Sequence, residues 1–445
     1  MEKSFRAWVP EQGWLFPPSV LDLVPEGHAA HVVREIVRQE LDLSAVYASY
    51  VEGRGGPPYH PAMMTAVLLY GYTQGIRSSR RLARACEERV DFMAVTGMQR
   101  PDHDTVNEFR RRHAAALEGL FAQVVRLCAE AGLVSLGHVS LDGTKFKANA
   151  SKHKAMSYDR MKKSEEELRA QIRKYFEESA ANDEAEDAEF GKGRRGDEQP
   201  EWVKNKKERL ARIRAARIAL EKEAAEKARA EAAKQAERPP CAPGRKPAPP
   251  SPTPGGSAQR NFTDPESRVM RAKGTFEQSY NAHAAVDSGR QVIVACEVTN
   301  QQNDGATLVP MLEQVKRNCG KKPTELSADA GYCSEDNLRA LRSRRIRGYV
   351  ATGRQTHGTA SPTSGEERNR RPLAAAMRAR LRRGGHRSRY RLRKVTVEPV
   401  FGQIKECRGL RQFLLRGLAK VRTEWSLACS AHNLLKLLGA RLACP

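Results

Sequence analysis

The sequence contains no apolar run long enough to cross a bilayer. Stretches such as 62–70 and 434–438 fall far short of the roughly 20 residues that a membrane helix needs, and no basic-then-apolar leader opens the chain. A membrane partner is thereby disfavoured, and a soluble, cytoplasmic protein is the expectation. The nine cysteines, at 86, 128, 241, 296, 319, 333, 407, 429 and 444, are odd in number, scattered and never spaced as Cys-x-x-Cys. That argues against both a disulfide framework and a zinc ribbon and leaves reduced, mostly structural thiols. No internal repeat is evident. Acidic residues are missing altogether between Arg368 and Lys394, where basic residues stand at 368, 370, 371, 378, 380, 382, 383, 387, 389, 391, 393 and 394.

What is present is length and positive charge. With domains of roughly 100 to 200 residues, 445 residues make two or three, ample for a sizeable core. Lys and Arg number 77 against 53 Asp and Glu, a formal net charge of +24. Self-repulsion of that size opposes compaction, whereas a nucleic acid offers a row of phosphates whose released counterions drive binding. Nucleic acid is therefore the expected partner.

Residues 1–134 read as an all-α N-terminal, DNA-binding domain: His60-Pro61 opens an apolar run through Tyr72, Ser78–Cys86 is a basic helix, and Asp104–Ala131 carries apolar residues at helical spacing. Arg77, Arg80, Arg81 and Arg84 crowd one of these helices, which would either dock DNA in helix-turn-helix fashion or present a solvated face. In Asp102-His103-Asp104 the second acid is the expected helix cap. At His138–Asn149 the pattern turns to alternation, so 135–150 is the first strand region of a sheet. From 151 to 260 the chain becomes a charged helical insertion, with helices over Ser164–Ser179 and Val203–Glu237 and a Pro-rich linker at Pro239–Gly256. Folded sequence resumes over 261–445. Strands are expected at Tyr280–Val286, Gln291–Val298, Glu325–Asp329 and Gly348–Thr352, with helices at Ala306–Asn318 and Ser334–Arg344. The sum is an α/β core interrupted by the insertion.

Three acids sit where rigid elements end or begin: Asp142 in Val-Ser-Leu-Asp-Gly-Thr, Asp329 in Leu-Ser-Ala-Asp-Ala-Gly-Tyr, and Glu398 in Val-Thr-Val-Glu-Pro-Val-Phe-Gly. Singly, each reads as a turn acid, a cap, or a residue at a helix start whose first turn holds Pro399. Together they match what two-metal phosphoryl chemistry needs: hard oxygen ligands on separate rigid elements, converging on two divalent ions roughly 4 Å apart. Three ionised carboxylates so placed repel by about 4 kcal/mol per pair at 4 Å and an effective dielectric of 20, so the site without cations is expected to be loose. Lys405 follows Glu398 by two helical turns and would share its face, either holding a phosphate or standing as an ordinary exposed lysine. The basic run leads straight into this helix, which favours contact with phosphate over a solvated face.

At these residues the sequence resembles the DDE transposases of bacterial insertion sequences. The resemblance rests on Leu141-Asp142-Gly143-Thr144, on Thr263–Ser267 with Phe276–Asp287, on Ala328–Tyr332, on Val397–Lys405, and on Trp425–Leu437. Pro61–His113 is similar to the family's helical N-terminal domain. The resemblance implies an RNase H-like mixed sheet as the catalytic core and Asp142, Asp329 and Glu398 as its metal-binding triad. Two Mg²⁺ are implied, replaceable by Mn²⁺, with Asp142 between them and the other two acids holding one each. It further implies double-stranded DNA as substrate (the element's own terminal repeats and a target) and a homodimer that brings two ends together. Of the signature Tyr-x2-Arg-x3-Glu-x6-Lys, Tyr390, Arg393, Glu398 and Lys405 fit, except that four residues separate Arg393 from Glu398, which makes Lys394 a rival for the arginine position. These residues, with Arg80 and Arg81, are the expected DNA contacts. An RNase H-like nuclease that cuts without joining, or a DNA-binding protein without catalysis, would share many of the same features.

Overall fold

The computed structural model describes residues 19–50, 57–190, 201–236, 249–272, 274–353 and 371–443. Arg368 and Arg370 of the basic run, Cys241, Cys444 and much of the Pro-rich stretch lie outside the described residues. The chain divides into two compact units, one formed by 1–146 with 281–445 and the other by 147–280.

The first unit opens with helices α1 (Ala29–Gln39), α2 (Ser44–Tyr47), α3 (Pro61–Thr73), α4 (Ser79–Glu88), α5 (Val90–Thr96), α6 (His103–Arg112) and α7 (Ala114–Glu130). Pro61 starts α3 where its missing N–H costs nothing, and nearly every α3 side chain is buried, as its unbroken apolar sequence requires. A Cβ on Gly71 would stand 2.3 Å from Leu82 Cδ2, so glycine is what lets α4 approach α3. The expected single helix over Asp104–Ala131 is two, broken at His113. The first begins at His103, two residues earlier than expected, so its cap is Asp102 and not Asp104: Asp102 Oδ1 accepts from Thr105 N at 2.6 Å.

The sheet follows. Strand β1 (His138–Lys147) lies between β5 (Thr275–Asp287) and β7 (Glu325–Ala328), and the order across this unit is β6 (Ile293–Thr299), β5, β1, β7, β8 (Arg347–Val350). β1, β7 and β8 are parallel, whereas β5 and β6 form the antiparallel hairpin expected around Asp287. Asp287 is fully buried and accepts from Leu136 N at 2.8 Å and Gly289 N at 3.0 Å, which accounts for it as a turn acid. Helices α10 (Leu308–Cys319) and α11 (Glu335–Ser343) flank β7 in sequence. They are followed by α12 (Pro372–Gly384), α13 (Leu392–Gly402), a π-helical turn at Gln403–Cys407, and α14 (Leu418–Ala443). The described part of the basic run is thus no loose arm: Met377 of α12 is buried, Arg380 donates to Gly348 O, and Glu335 accepts from the first backbone N–H groups of that helix.

Helix α14 packs on α3, α7 and β6 and fastens the unit together. Trp425 Nε1 donates to His283 O at 3.0 Å. Asn433 uses both ends of its amide on one residue of the β6 edge, accepting from Ile293 N at 2.9 Å and donating to Ile293 O at 2.8 Å. His432 Nε2 donates to Gln291 O at 2.9 Å. Glu424, fully buried, pairs with Arg77 at 2.9 Å and accepts from the backbone N–H groups of Leu414 and Leu415. Arg77 therefore leaves the group of arginines expected to face DNA: its guanidinium is turned inward and also donates to Gln412 O and Gly409 O.

The second unit holds α8 (Tyr158–Phe190) and α9 (Glu201–Ala236), the expected charged helices, with β2 (Ala155–Ser157), β3 (Gln259–Asn261) and β4 (Arg268–Ala272). β2 pairs with β3, and β4 with the first part of β5. The helices are antiparallel, joined at one end by Tyr158 Oη donating to Glu221 and at the other by the Tyr175–Trp202 ring contact. Only a short apolar core of Tyr158, Met161, Leu168, Ile213, Ala216 and Leu220 unites them. Ion pairs centred on Glu165 and Arg217 cover it. Among the described residues seven cysteines are free, in line with structural thiols.

Two predictions follow from this packing. Arg77→Met should cost about 3–5 kcal/mol in chemical denaturation, because it leaves Glu424 buried and unpaired, and adding Glu424→Leu should restore much of the loss. Burial pushes His432 down to about 3, helped by the nearby Arg408, and His283 down to about 4, from 6.5. Both rings are neutral in the fold, so the unfolded chain binds more protons below pH 6.5. Their contribution is complete above that pH and is lost as pH falls toward 4 and 3, at up to about 1.4 kcal/mol per unit for each histidine. Denaturation midpoints measured from pH 7 to 4 should show this slope, and His432→Gln should flatten it.

Candidate active site

Parallel pairing of β1 with β7 sets Leu141 opposite Ala328, so the next residues, Asp142 and Asp329, stand at the same level; Asp329 follows the end of β7, whereas Asp142 lies inside β1 and not at an element's end as expected. Asp142 Oδ1 accepts from Gly143 N at 2.9 Å; Asp329 caps the 3₁₀ turn Ala330–Tyr332 and accepts from Gly331 N at 3.0 Å. Asp142 is thus held by the next residue of its own strand, and Asp329 by the turn it caps.

Glu398 lies inside α13, not at its start as expected, and Pro399 is an interior residue of that helix. A proline there supplies no N–H to the carbonyl four residues back, Val395 O. Gln291 Nε2 fills the place, donating to Val395 O at 2.9 Å. The helix continues through Glu398 because a side chain from the β5–β6 turn replaces the missing bond.

Arg393, on the preceding turn of α13, joins the acids. Its Nη1 is 2.6 Å from Asp142 Oδ2 and its Nη2 is 3.1 Å from Glu398 Oε1. The guanidinium lies 5.9 Å from the ring centre of Tyr390, and its buried Nε has no hydrogen-bond partner among the described residues. Lys394 points to solvent. Lys405 does not keep the two-turn register assumed for it, because the chain widens into the π-helical turn. It lies against β1, donating to Thr144 Oγ1 and standing 4.6 Å from the centre of the Phe146 ring. Arg80 and Arg81 are exposed on α4, with no acid paired to either among the described residues.

The electrostatics are those of a site short of positive charge. Burial, reinforced by Asp329 and Glu398, pushes the Asp142 carboxyl up to about 7 despite the adjacent guanidinium. Asp329 is also raised, by burial and then by Asp304. Asp304 was not anticipated, since Asn303-Asp304-Gly305 reads as an ordinary turn. Its Oδ1 accepts from Asn281 at 2.6 Å, and a Cβ on Gly331 would stand 2.4 Å from its Oδ2 and 3.2 Å from Asp329 Oδ1. His283 and Tyr332 carry no assigned role from sequence: Tyr332 Oη and His283 Nδ1 are 2.6 Å apart, directly over Gly143, whose missing Cβ makes room for the pair. What could have exposed both is the run of small residues on either side, Asp-Gly-Thr and Asp-Ala-Gly-Tyr, a sign of backbones brought close together.

Carboxylates alone suit hard divalent cations such as Mg²⁺ or Mn²⁺. Among the described residues, no three acid, histidine or cysteine side chains close on a single point as a finished cage would. Instead a guanidinium stands between two of the acids.

Residues 250–434 match a family model described as a transposase DDE domain, and residues 18–112 match a transposase domain (DUF772). The chain belongs to the DDE transposases. Comparison of this transposase with curated proteins and with solved structures gives no match. Asp329, Arg393, Glu398 and Lys405 fall inside the DDE match, and Asp142 lies on the strand between the two matched stretches.

Gly331→Ala tests how tightly the acids are held. Its Cβ must displace Asp304 or Asp329, and a shift near 1 Å can cost about 100-fold in rate. Activity on DNA should fall to that degree while the thermal unfolding midpoint moves by only a few degrees.

Proposed function

We propose that this chain catalyses metal-dependent cleavage and strand transfer of the DNA ends of an insertion sequence, through Asp142, Asp329 and Glu398 on an RNase H-like core. The observation that carries this reading is that Arg393 draws Asp142 and Glu398 together from elements 256 positions apart in sequence, while strand pairing brings Asp329 beside Asp142. The mixed sheet, with the two aspartates at adjacent parallel strands, supports the fold assignment.

The three carboxylates would hold two Mg²⁺, or Mn²⁺ in their place. When bound, these ions supply activation of the attacking water or 3′-hydroxyl and stabilisation of the leaving 3′ oxygen. The chain's own contribution is to orient the ligands. The N–H of Gly143 fixes Asp142, the cap at Gly331 fixes Asp329, and the Gln291 bond to Val395 keeps α13 intact beneath Glu398. Lys405 and Tyr390, beside the acids, and Lys394, Arg80 and Arg81, exposed to solvent, supply cations and a ring toward the DNA backbone. Two DNA ends need two active sites, so a homodimer is the assembly we propose, working on DNA in the cytoplasm. The described helices include none long and apolar enough to cross a membrane.

The test is excision and reintegration, in cells, of a marker flanked by the DNA ends native to this gene. Glu398→Gln should lose both products by more than the about 100-fold that removal of an outer partner of a metal ligand costs, with expression and DNA binding retained. Strand-transfer products in purified reactions separate a transposase from a nuclease that only cuts. DNA affinity should also fall about 10³-fold or more between 50 and 200 mM salt, as expected for six or more phosphate contacts; a flat response would remove the basic residues from phosphate binding.

A further inference from the structure

Among the described residues, one cation near the three acids is paired with two of them. Lys405 is turned to Thr144 and Phe146, Lys394 is in solvent, and Arg389 reaches Glu325 at the far end of β7. Arg393 alone spans two of the proposed ligands, with one N–H group on each. Its side chain is 17% exposed and that of Asp142 12%, so this contact is largely shielded from water. A planar guanidinium suits such bridging, since it presents several donors in a fixed fork.

We propose that Arg393 is a built-in gate: its guanidinium occupies the carboxylate cluster in the DNA-free protein, must leave when divalent ions enter, and is drawn out by a DNA phosphate. The proposal rests on the assignment of Asp142, Asp329 and Glu398 as metal ligands and concerns how that site is regulated. Two features make the gate openable. Glu398 is 47% exposed, so the outer half of the clasp is accessible to competing ions and to phosphate. The Nε of Arg393 is buried without a partner, so the closed arrangement leaves one strong donor unsatisfied that a phosphate oxygen could accept from. The Tyr390 ring stands beside the guanidinium, its centre 5.9 Å away. Because the closed form cannot accept ions at Asp142 and Glu398 together, apparent metal affinity is reduced by the fraction of molecules that are open. DNA, by holding Arg393 elsewhere, raises that fraction, and the coupling is reciprocal.

The experiment is Mn²⁺ binding to the full chain, followed by electron paramagnetic resonance, first without DNA and then with a duplex carrying the element's end. Arg393→Gln should bind Mn²⁺ at least tenfold more tightly than wild type without DNA. Lys394→Gln, which removes the same charge one residue away, should change binding by less than threefold. Arg393→Lys, unable to bridge two carboxylates with one ammonium, should fall between wild type and Arg393→Gln and guards against a misfolded glutamine variant. Added DNA should tighten Mn²⁺ binding to wild type and leave Arg393→Gln nearly unmoved. Equal affinities for wild type and Arg393→Gln, or an equal gain in Lys394→Gln, would overturn the gate. If instead Asp142→Asn and Glu398→Gln bind Mn²⁺ as wild type does, the ligand assignment itself fails, and that result cannot be mistaken for failure of the gate alone.

Discussion

Like charges held together out of water set the terms for the rest of this molecule. Asp142 and Asp329 cannot stand side by side on parallel strands unless the strands are fixed in register, since a slip of one residue would send one of them to the opposite face. The register is secured toward the start of the same strands. There His138 lies 3.0 Å from Ser327 Oγ and 3.3 Å from Glu325, and Ser140 meets Ser327 at 2.9 Å, all buried. A polar network at the base of the strands and an acid pair farther along are thus two parts of one arrangement. Satisfied hydrogen bonds below hold in place the unsatisfied charge above. The guanidinium of Arg393 completes it by offsetting part of the repulsion that the backbone enforces.

Much of this was legible in the sequence, because the signals are local. Alternation at His138–Asn149, the Asp287-Ser288-Gly289-Arg290 turn and the apolar helices near Tyr72 and Phe121 are each fixed by neighbours along the chain, and the structure has strands, a hairpin and helices there. The three acids stood out for a related reason: small and apolar residues around a charge mark an element boundary. What was not legible depends on distant partners. Nothing in Ser-Arg-Arg-Leu-Ala-Arg distinguishes Arg77, just before it, from its neighbours until Glu424 is seen buried against it. Glu398 was misplaced to a helix start because Pro399 normally marks one, and the bond that excuses that proline comes from Gln291, more than a hundred residues earlier. Asp304 was hidden by a sequence that suits any turn.

The two units solve their stability problems by different means. In the unit of 1–146 and 281–445, buried strands such as Tyr280–Asp287 and the long α14 give a conventional dense core. In the unit of 147–280 the helices share few apolar side chains, and ion pairs at spacings of four residues, among them Lys174–Glu178, Lys222–Glu226 and Lys227–Glu231, run along exposed surfaces. Such pairs add only a few tenths of a kcal/mol each, so the helical hairpin depends on its base, where Phe262 and Met156 cover Tyr158 and its neighbours.

The pair of hydrogen bonds between Asn433 and Ile293 also bears on how copies of this chain can meet. Strand β6 ends one side of the sheet in its unit, and an open edge there would be a template on which a strand of another molecule could add. Asn433 takes up one donor and one acceptor of that edge and sets a helix against it. A strand laid along β6 would lose its ladder at that point and meet α14 instead. Continuous β-sheet growth between copies of this chain is thereby closed off on this side, at the most adhesive surface a sheet can offer.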